Sequence, residues 1–335
     1  LIEDANIVSG GEAVLFAGSL NGASATIRSS RLISEDTDAV RFAGNINRSL
    51  VVIGGPDSSA GNIIRGDDDG IDIDGNISLF SQVRIENNAR VIGGDDAIDI
   101  DGGMFLSSVV IANNGLIRGD DDAINFDETL FLSDVQITDN GDIRGNNDGI
   151  SFNNVAASRV GITGNNVRLG SGGIGLNFAY SADSELTIGP GNSFDGGADG
   201  IVIRGTDGEV LTITDNTVND TAFTNQSGDY IRLEETALFD PGNPTVIDAK
   251  DATFEGLKGI EMSADELFAT EDKMVHFPDD NTLGLFDISE LFVVQGESIQ
   301  LAVNAAGALS GAQEVVVGAG TFGGSVEVWV DNLNL

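Results

Sequence analysis

The feature that most constrains this chain is an acidic phrase that occurs four times at intervals of about 26 residues. It reads RGDDDGIDIDG from Arg65, GGDDAIDIDGG from Gly93, RGDDDAINFDE from Arg118 and RGNNDGISFNN from Arg144. A unit this short cannot bury its own apolar face, so such units must stack on one another. The repeat therefore predicts a solenoid, in which equivalent residues of successive turns form columns.

The apolar residue after a small Ala or Gly marks the period, and we call these positions the inner column. Its predicted members are Val14, Val40, Ile71, Ile98, Ile124, Ile150, Ile174, Ile201 and Ile231. In the unit 98–124, the alternation of Ile98 to Asp101 predicts a strand with isoleucines inward and aspartates outward. Two further short β-branched runs follow, separated by Gly and Asn turns, which indicates three strands per turn and excludes a helical reading.

The second strand of each unit recurs in phase, as Val83, Val109, Val135, Val160, Leu186 and Leu211 followed two residues later by Ile. Three residues after that Ile stands Asn88, Asn114, Asn140, Asn165 or Asn216, with Gly191 as an exception. Stacked asparagines predict a ladder in which each amide bonds to the next turn. Ordinary surface-turn asparagines are the alternative.

The phrase I-x-N-N-G-x-I-x-G-x-D-D-A-I resembles repeats of bacterial surface adhesins, autotransporter passengers and giant extracellular repeat proteins. These belong to the right-handed parallel β-helix, or pectin-lyase-like, superfamily, and the resemblance covers about residues 7–234. It implies an all-β fold, a right-handed parallel β-helix with about 26 residues per coil. Such wording is specific for a fold and only weakly specific for a function.

Residues 298–335 resemble the amino-terminal cap and first coil of many β-helix proteins, with Phe322 where those have Tyr. We therefore expect coils over 1–234, an irregular β junction over 235–297, and over 298–335 the cap of a following or neighbouring unit. A short capping helix is predicted near 298–309, then a strand over 315–317 and another over 326–330. The last strand should pair near Ile7 and Val14 of the next unit. An ordinary terminal β element is the alternative.

The charge balance excludes several classes of partner. Asp and Glu number 54 against 16 Lys and Arg, for a net charge of −38, which disfavours nucleic acids and anionic membranes. There is no cysteine, so disulfides and thiolate metal sites are excluded. No apolar run is long enough for a membrane span. The chain opens at Leu1 without a signal peptide, so we expect a piece of a longer or processed product.

Four columns of acids are the candidate sites, and calcium is the cofactor they favour. The first acid column is the residue directly after the inner column, and the second acid column lies two residues further on. The outer turn column and then the inner turn column come just before the inner column. They comprise Asp72 and Asp99 (first), Asp74, Asp101 and Asp127 (second), Asp68, Asp95 and Asp121 (outer turn), and Asp69, Asp96 and Asp122 (inner turn). Asn125, Ser151, Asn153, Asn147 and Asp148 continue these columns.

Stacked carboxylates about 5 Å apart repel each other, so something must offset their charge. Hard cations such as Ca²⁺, which take six to eight oxygens, would do so. The two alternatives are solvation in salt and pairing with an arginine column, Arg65, Arg118, Arg144 and Arg168. The nonapeptide calcium motif is not matched, and no organic cofactor is expected.

These observations favour a structural protein outside the cell or on its surface: a repeat or subunit of a fibre, sheath, surface layer or adhesin stalk. Its partners are expected to be copies of itself, end to end, with glycans or cell-surface polymers as further candidates. The alternative is a polysaccharide lyase, epimerase or glycosidase, or a glycan-binding β-helix. Every acid has copies in neighbouring turns and the only histidine, His276, lies outside the repeats, so no catalytic residue is predicted.

Overall fold

The computed structural model describes residues 1–335 except 56–60, 182, 206–210, 219, 235–238, 241–242, 245–246, 278–283, 286–289, 294, 296–297, 309–312, 329–332 and 335. Within the described residues the chain winds into a parallel β-solenoid of about ten turns. Cα partners in adjacent turns are commonly 26 residues apart, as in the pair Ile124 and Ile150. The predicted all-β solenoid is confirmed.

Sheet 1 contains the second strand of each predicted unit, and its strands pair in parallel through successive turns. They are Ile2–Glu3, Ser24–Arg28, Leu50–Gly54, Gln82–Glu86, Ser108–Ala112, Asp134–Thr138, Arg159–Thr163, Ser184–Ile188, Leu211–Val218, Ile247–Asp248 and Gly284–Leu285. Leu211 is not in the predicted register, because Ile213 is the partner of Leu186 and a bulge follows.

Sheet 2 contains one short strand from each turn. Its members are Asn6–Ser9, Arg31–Ser34, Ile63–Arg65, Arg90–Ile92, Leu116–Arg118, Asp142–Gly145, Asn166–Leu169, Ser193–Asp195, Ala222–Thr224 and Thr253–Phe254.

Sheet 3 carries the inner column, and in its first five turns it consists of two short strands joined by a bend. Its strands are Val14–Phe16, Leu20–Asn21, Val40–Phe42, Ile46–Asn47, Ile71–Asp72, Ile77–Ser78, Ile98–Ile100, Met104–Phe105, Ile124–Phe126, Leu130–Phe131, Asp148–Ala156, Ile174–Tyr180, Asp199–Gly205, Ile231–Glu234 and Met274–Phe277. From Asp148 onward the two pieces merge into one longer strand.

The inner column forms the centre of the core. Ile71, Ile98, Ile124 and Ile150 have no exposed surface, and burial of each contributes about 1.5–3 kcal/mol. The prediction is wrong at Ile174, because Leu176 is the partner of Ile150 and of Ile201. Ile174 instead aligns with Asp148, so an apolar residue occupies a turn position there.

The asparagine ladder is confirmed, with two differences. The side-chain Nδ2 of Asn88 donates to Asn114 Oδ1 at 2.9 Å, and Asn114 donates to Asn140 in the same way. The ladder starts one turn earlier, at Asn62, and it ends at Asn192 rather than passing through Gly191. The side chain of Asn216 lies outside the described residues. These amides are buried, so the ladder satisfies polar groups that water cannot reach.

The carboxyl-terminal third combines solenoid strands with two helices. Pairing of the three sheets continues past residue 234, through Ile247–Asp248, Thr253–Phe254 and Met274–Phe277. A 3₁₀ turn at Gly259–Glu261 precedes helix α1, Ala264–Glu271, which Ser263 caps. Helix α2 spans Ile299–Ala308, which confirms the predicted capping helix.

Small strands surround helix α2. Phe239–Asp240 and Asn243–Pro244 pair antiparallel, while Glu290–Val293, Gln313–Val317 and Leu333–Asn334 form a parallel sheet. Gln313–Val317 contains the strand predicted over 315–317. The strand predicted over 326–330 does not form in its described part, residues 325–328, which have no β partner there. Residues 329 and 330 lie outside the described residues.

Candidate metal site

The inner turn column is a ladder of carboxylates along one edge of sheet 3. Asp96 donates its backbone N–H to Asp69 Oδ1 at 2.9 Å, and Asp122 and Asp148 each repeat this contact with the preceding turn at 2.7 Å. Each acid sits two residues before the inner column, at the tight turn into sheet 3. The bond to the next turn orients one carboxylate oxygen, and in Asp96 and Asp148 the other oxygen accepts from the amides of Asn125 and Asn177.

The structure brings nine of the eleven candidate acids into four groups in which carboxylate oxygens lie within 4.8 Å of one another. The groups are Asp38, Asp69 and Asp72; Asp72, Asp74 and Asp101; Asp95, Asp96 and Asp121; and Asp99, Asp101 and Asp127. Asp68 and Asp122 belong to none of them. Asp72 and Asp101 are each shared by two groups, so the acids of successive turns form a nearly continuous band that we call the acid band.

Two members of the acid band are more deeply buried than strand alternation predicts. Asp72 is 5% exposed and Asp99 is 9% exposed, although both side chains point away from the isoleucine core. The turn acids and the neighbouring turns cover them. Asp72 Oδ1 and Asp99 Oδ1 are buried and accept no hydrogen bond. A buried carboxylate oxygen without a partner is costly, which makes these two atoms the strongest indication of an absent ligand.

Burial dominates the electrostatics of the band. It raises the pKa of Asp99 to about 9 and that of Asp72 to about 8, with repulsion from the neighbours Asp101 and Asp74 as the next cause. It also raises the pKa of Asp69 and Asp122 to about 7 and that of Asp96 to about 6, although each accepts a backbone hydrogen bond. Without a cation, Asp99 and Asp72 would hold protons near neutral pH, and Asp69 and Asp122 would do so in part.

Arg41 compensates the acid band at its first end, whereas the arginines further along sheet 3 contact residues outside the band. Arg41 contacts Asp74 at 2.7 Å, Asp72 at 3.2 Å and Asp38 at 3.5 Å. Towards the other end, Arg204 donates to Asn177 and Arg232 contacts Asp199 at 2.8 Å. In the part of the chain that the structure describes, no ion pair reaches Asp99, Asp101 or Asp127.

The predicted arginine column does not serve the acid band. Arg118 pairs with Asp120 at 2.8 Å, and Arg144 and Arg168 pair with Asp142 at 2.7 and 3.4 Å. These contacts lie on sheet 2, and among the described residues no ion pair joins this column to the eleven candidate acids. The interpretation that it neutralises them is therefore wrong, because it faces a different side of the solenoid.

Sequence reasoning missed Asp38 and Arg41, although both stand at positions that the repeat defines. Asp38 precedes Val40 by two residues, as Asp69 precedes Ile71. Arg41 is the Cα partner of Asp72 and so occupies the first acid column.

The donor set fits a hard divalent cation, since every ligand atom offered is a carboxylate or amide oxygen. Asp99, Asp101 and Asp127 provide three carboxylates with oxygens within 4.8 Å of one another, and Asp99 also carries the orphaned Oδ1. Asn125 donates its amide to Asp127 at 3.1 Å and to Asp96 at 3.2 Å, which holds these two acids on either side of it. The arrangement can bind a cation or share protons among its carboxyls.

Comparisons with models of protein families, with curated proteins and with solved structures found no match for this chain. The fold therefore stands on its own geometry, as a parallel β-solenoid consistent with the β-helix superfamily. Among the described residues, neither helix is long and apolar enough to cross a bilayer.

Proposed function

We propose that this chain is a structural unit of an extracellular solenoid array, in which copies stack end to end. The observation that carries the proposal is the open first turn. Ile2–Glu3, Asn6–Ser9, Val14–Phe16 and Leu20–Asn21 each pair with the following turn only. Unpaired strand edges are templates for another chain, and proteins that stay monomeric usually cover them.

Exposed apolar side chains also support the end-to-end contact between copies. Leu1, Val8 and Leu15 are 77%, 51% and 48% exposed in this first turn. Near the carboxyl terminus, Val326 and Val328 are 41% and 47% exposed in a stretch without regular secondary structure.

Helix α2 holds this stretch in an orientation suited to pairing. Gln300 accepts from the backbone N–H of Glu327 at 2.6 Å and donates to its carbonyl at 3.1 Å. The Gln300 amide thus bonds to the backbone N–H and carbonyl of Glu327, on one side of the stretch. The second side is available to a strand of another copy.

Electron microscopy and analytical ultracentrifugation of the whole chain test this assembly. We expect filaments or concentration-dependent oligomers, which Val8→Lys and Leu15→Lys at the open first turn should abolish. Ile260→Ser, at a 93% exposed residue in the 3₁₀ turn, is the matched control and should assemble normally. A wild-type chain without end-to-end contacts at any concentration would contradict the proposal.

We propose further that the acid band binds Ca²⁺ and that the cation stabilises the solenoid. The buried orphan oxygens Asp72 Oδ1 and Asp99 Oδ1 support this, together with the lack of arginine around Asp99 and Asp101. A ligand that binds only the folded state stabilises it by RT ln(1 + [L]/Kd), about 2.7 kcal/mol at a hundredfold excess over Kd.

Calorimetric titration with calcium, after chelator treatment, measures affinity and stoichiometry. Asp101→Asn should remove the strongest binding, because Asp101 belongs to two of the four acid groups. Asp120→Asn is the control, since Asp120 is half-exposed and pairs with Arg118 outside the band. Unchanged binding in Asp101→Asn, or the absence of binding in the wild type, would refute the cation site.

The alternative function is an enzyme acting on polysaccharides. The observation that favours it is the Asp72 and Asp74 pair, whose oxygens lie within 4.8 Å and of which Asp72 has a pKa raised to about 8 by burial. Retaining glycosidases use two carboxyls about 5 Å apart. Sugar release from a neutral or acidic polysaccharide that Asp72→Asn abolishes would establish it. We expect no release, because the acids recur from turn to turn.

A further inference from the structure

A patch of apolar side chains lies on the outside of the corner between sheet 3 and sheet 1. We call it the corner patch, and it consists of Leu79, Phe80, Phe105, Leu106, Phe131 and Leu132. Phe80 is 77% exposed and Phe105 and Phe131 are each more than 40% exposed. Beside them runs a groove of about 500 Å³ that extends to Ala157 and Arg159. Contiguous apolar surface of this kind marks interaction sites.

The fold itself does not require aromatic residues here. Asn21, Asn47 and Ser78 occupy the column of Phe105 and Phe131 in the three preceding turns. There the column is polar, and Asn47 donates to Asn21 Oδ1 at 3.0 Å. The same outward position is therefore filled by a hydrogen-bonded ladder in three turns and by exposed rings in the next two. The rings need a reason other than the stability of the turn.

Backbone conformation gives a second argument. The next column has a left-handed backbone in six successive turns, with φ of 61° at Gly22, 48° at Arg48, 59° at Leu79, 50° at both Leu106 and Leu132, and 49° at Ala157. Glycine adopts this region freely, whereas bulky side chains rarely do. Three leucines thus occupy a strained position that is accessible to solvent. Neither core packing nor backbone geometry explains them.

Charge and ring geometry narrow the choice of partner. Only Asp134 and Arg159 are charged among the residues lining the groove, in a chain of net charge −38. Copies of the chain repel one another over most of their surface but not here. Phe105 and Phe131 stack at 5.8 Å with ring planes 8° apart, so they turn edges rather than faces outward. Edges offer little to a sugar ring but pack well against apolar side chains.

We propose that the corner patch is the contact through which two copies of this chain pair side by side, antiparallel and related by a two-fold axis. In such a contact both copies use the same surface patch, and the order of residues along it runs in opposite directions in the two copies. Phe80 protrudes at one end of the groove, and Ala157 and Arg159 lie at the other, three turns away. The antiparallel arrangement puts Phe80 of each copy into the far end of the other copy's groove, beside a guanidinium that favours an aromatic ring.

The exposed area predicts a weak pair. At about 200 Å² per ring, the three phenylalanines expose on the order of 300 Å² per copy. This is less than the ~800 Å² per partner of a standard stable interface. The contact is therefore strongest where several units are linked, since linked contacts reinforce one another. It does not depend on end-to-end stacking, which uses a different surface.

Cross-linking tests the geometry, because the chain has no cysteine of its own. A Phe80→Cys chain mixed with an Ala157→Cys chain should give disulfide-linked pairs on mild oxidation. Each variant alone should link far less, because identical positions lie about 14 Å apart in the antiparallel pair, beyond disulfide reach. Linking that is equally efficient in a mixture of Ile260→Cys with Ala157→Cys would overturn the proposal.

Sedimentation equilibrium measures the affinity. The triple variant Phe80→Ser, Phe105→Asn and Phe131→Asn should fold, because earlier turns carry Asn in the column of Phe105 and Phe131, and Phe80 is an exposed extra residue of its turn. We expect it to raise the dissociation constant of the side-by-side pair at least about tenfold. A wild-type patch that gives no lateral pairs, or that binds neutral lipid vesicles instead, would refute pairing. Filaments that persist in the triple variant separate this proposal from end-to-end assembly.

Discussion

Asp99→Asn should stabilise the calcium-free protein, although it removes a charged group from the acid band. Asp99 is 9% exposed, and burial raises its pKa from 3.8 to about 9. At about pH 8 the carboxyl must take up a proton on folding, which costs about 1.4 kcal/mol for each pH unit between its unfolded pKa of 3.8 and pH 8. The upper limit is about 6 kcal/mol. Asparagine avoids this cost, and Asn125 shows that it fits the same column.

Sharing of protons and charge with Asp101 and Asp127 reduces the gain. Because the three carboxyls titrate as a coupled group, about half of the upper limit, on the order of 3 kcal/mol, remains. We take that value as the expected gain at about pH 8. For a chain of 335 residues it corresponds to a rise of roughly 4 °C in the thermal midpoint.

The pH dependence of the free energy of unfolding tests the direction of the Asp99 effect. A pKa raised in the folded state means that the folded protein binds more protons than the unfolded chain between about pH 4 and pH 9. Wild-type stability should therefore be highest near pH 4 and fall as the pH rises through about 9. The advantage of Asp99→Asn should vanish near pH 4, where both states are protonated.

Differential scanning calorimetry in chelator at about pH 4 and pH 8 provides the measurement. Asp120→Asn serves as the control, and its midpoint should move by no more than about 1 °C, because exposed ion pairs contribute little. In saturating calcium the order should reverse, since the variant loses a ligand. An Asp99→Asn midpoint at or below wild type at about pH 8 in chelator would refute the reasoning.

Three further outcomes follow from the structure. Asn114→Ala should lower the free energy of unfolding, measured in urea, by about 3 kcal/mol, because it leaves buried amide and carbonyl partners unsatisfied. The control Asn6→Ala, at an exposed residue, should change it by less than about 0.5 kcal/mol. Ile124→Asp should abolish folding and assembly, as seen by circular dichroism and size exclusion, because it buries an unpaired charge in the inner column. Arg41→Gln should lower the thermal midpoint in chelator and regain part of it in calcium, because it uncovers Asp72; equal losses in both solutions would contradict this.

The solenoid could be predicted from the sequence, because each turn must bury side chains at the same positions and therefore repeats the same pattern. An Ile at the inner column, a Ser or Asn at each turn and an Asp two residues before the strand all recur in register. The error at Ile174 arose where the strand lengthens to Ile174–Tyr180, so that two apolar residues competed for one column. Local alternation cannot decide between Ile174 and Leu176, because both point to the same face.

The acid band could be predicted only in part from the sequence. Its members follow from the columns, but their burial depends on how far neighbouring turns cover an outward side chain. Alternation predicted Asp72 and Asp99 as solvent-facing, whereas both are buried with an oxygen that no donor reaches. The corner patch was missed for a related reason. The sequence analysis singled out neither Phe105 nor Phe131, because only the strand register of the structure shows that their column is polar in earlier turns.

The asparagine ladder also has a mechanical consequence. Its amide bonds run from turn to turn, in the same direction as the backbone bonds between strands, and therefore along the long axis of the solenoid. Tension applied to the two ends would load one interface between turns at a time and peel the outermost turn first. Each event would release about 26 residues, or roughly 90 Å of extended chain. Such a protein would lengthen in equal steps under load, with buried asparagines setting the force of each step.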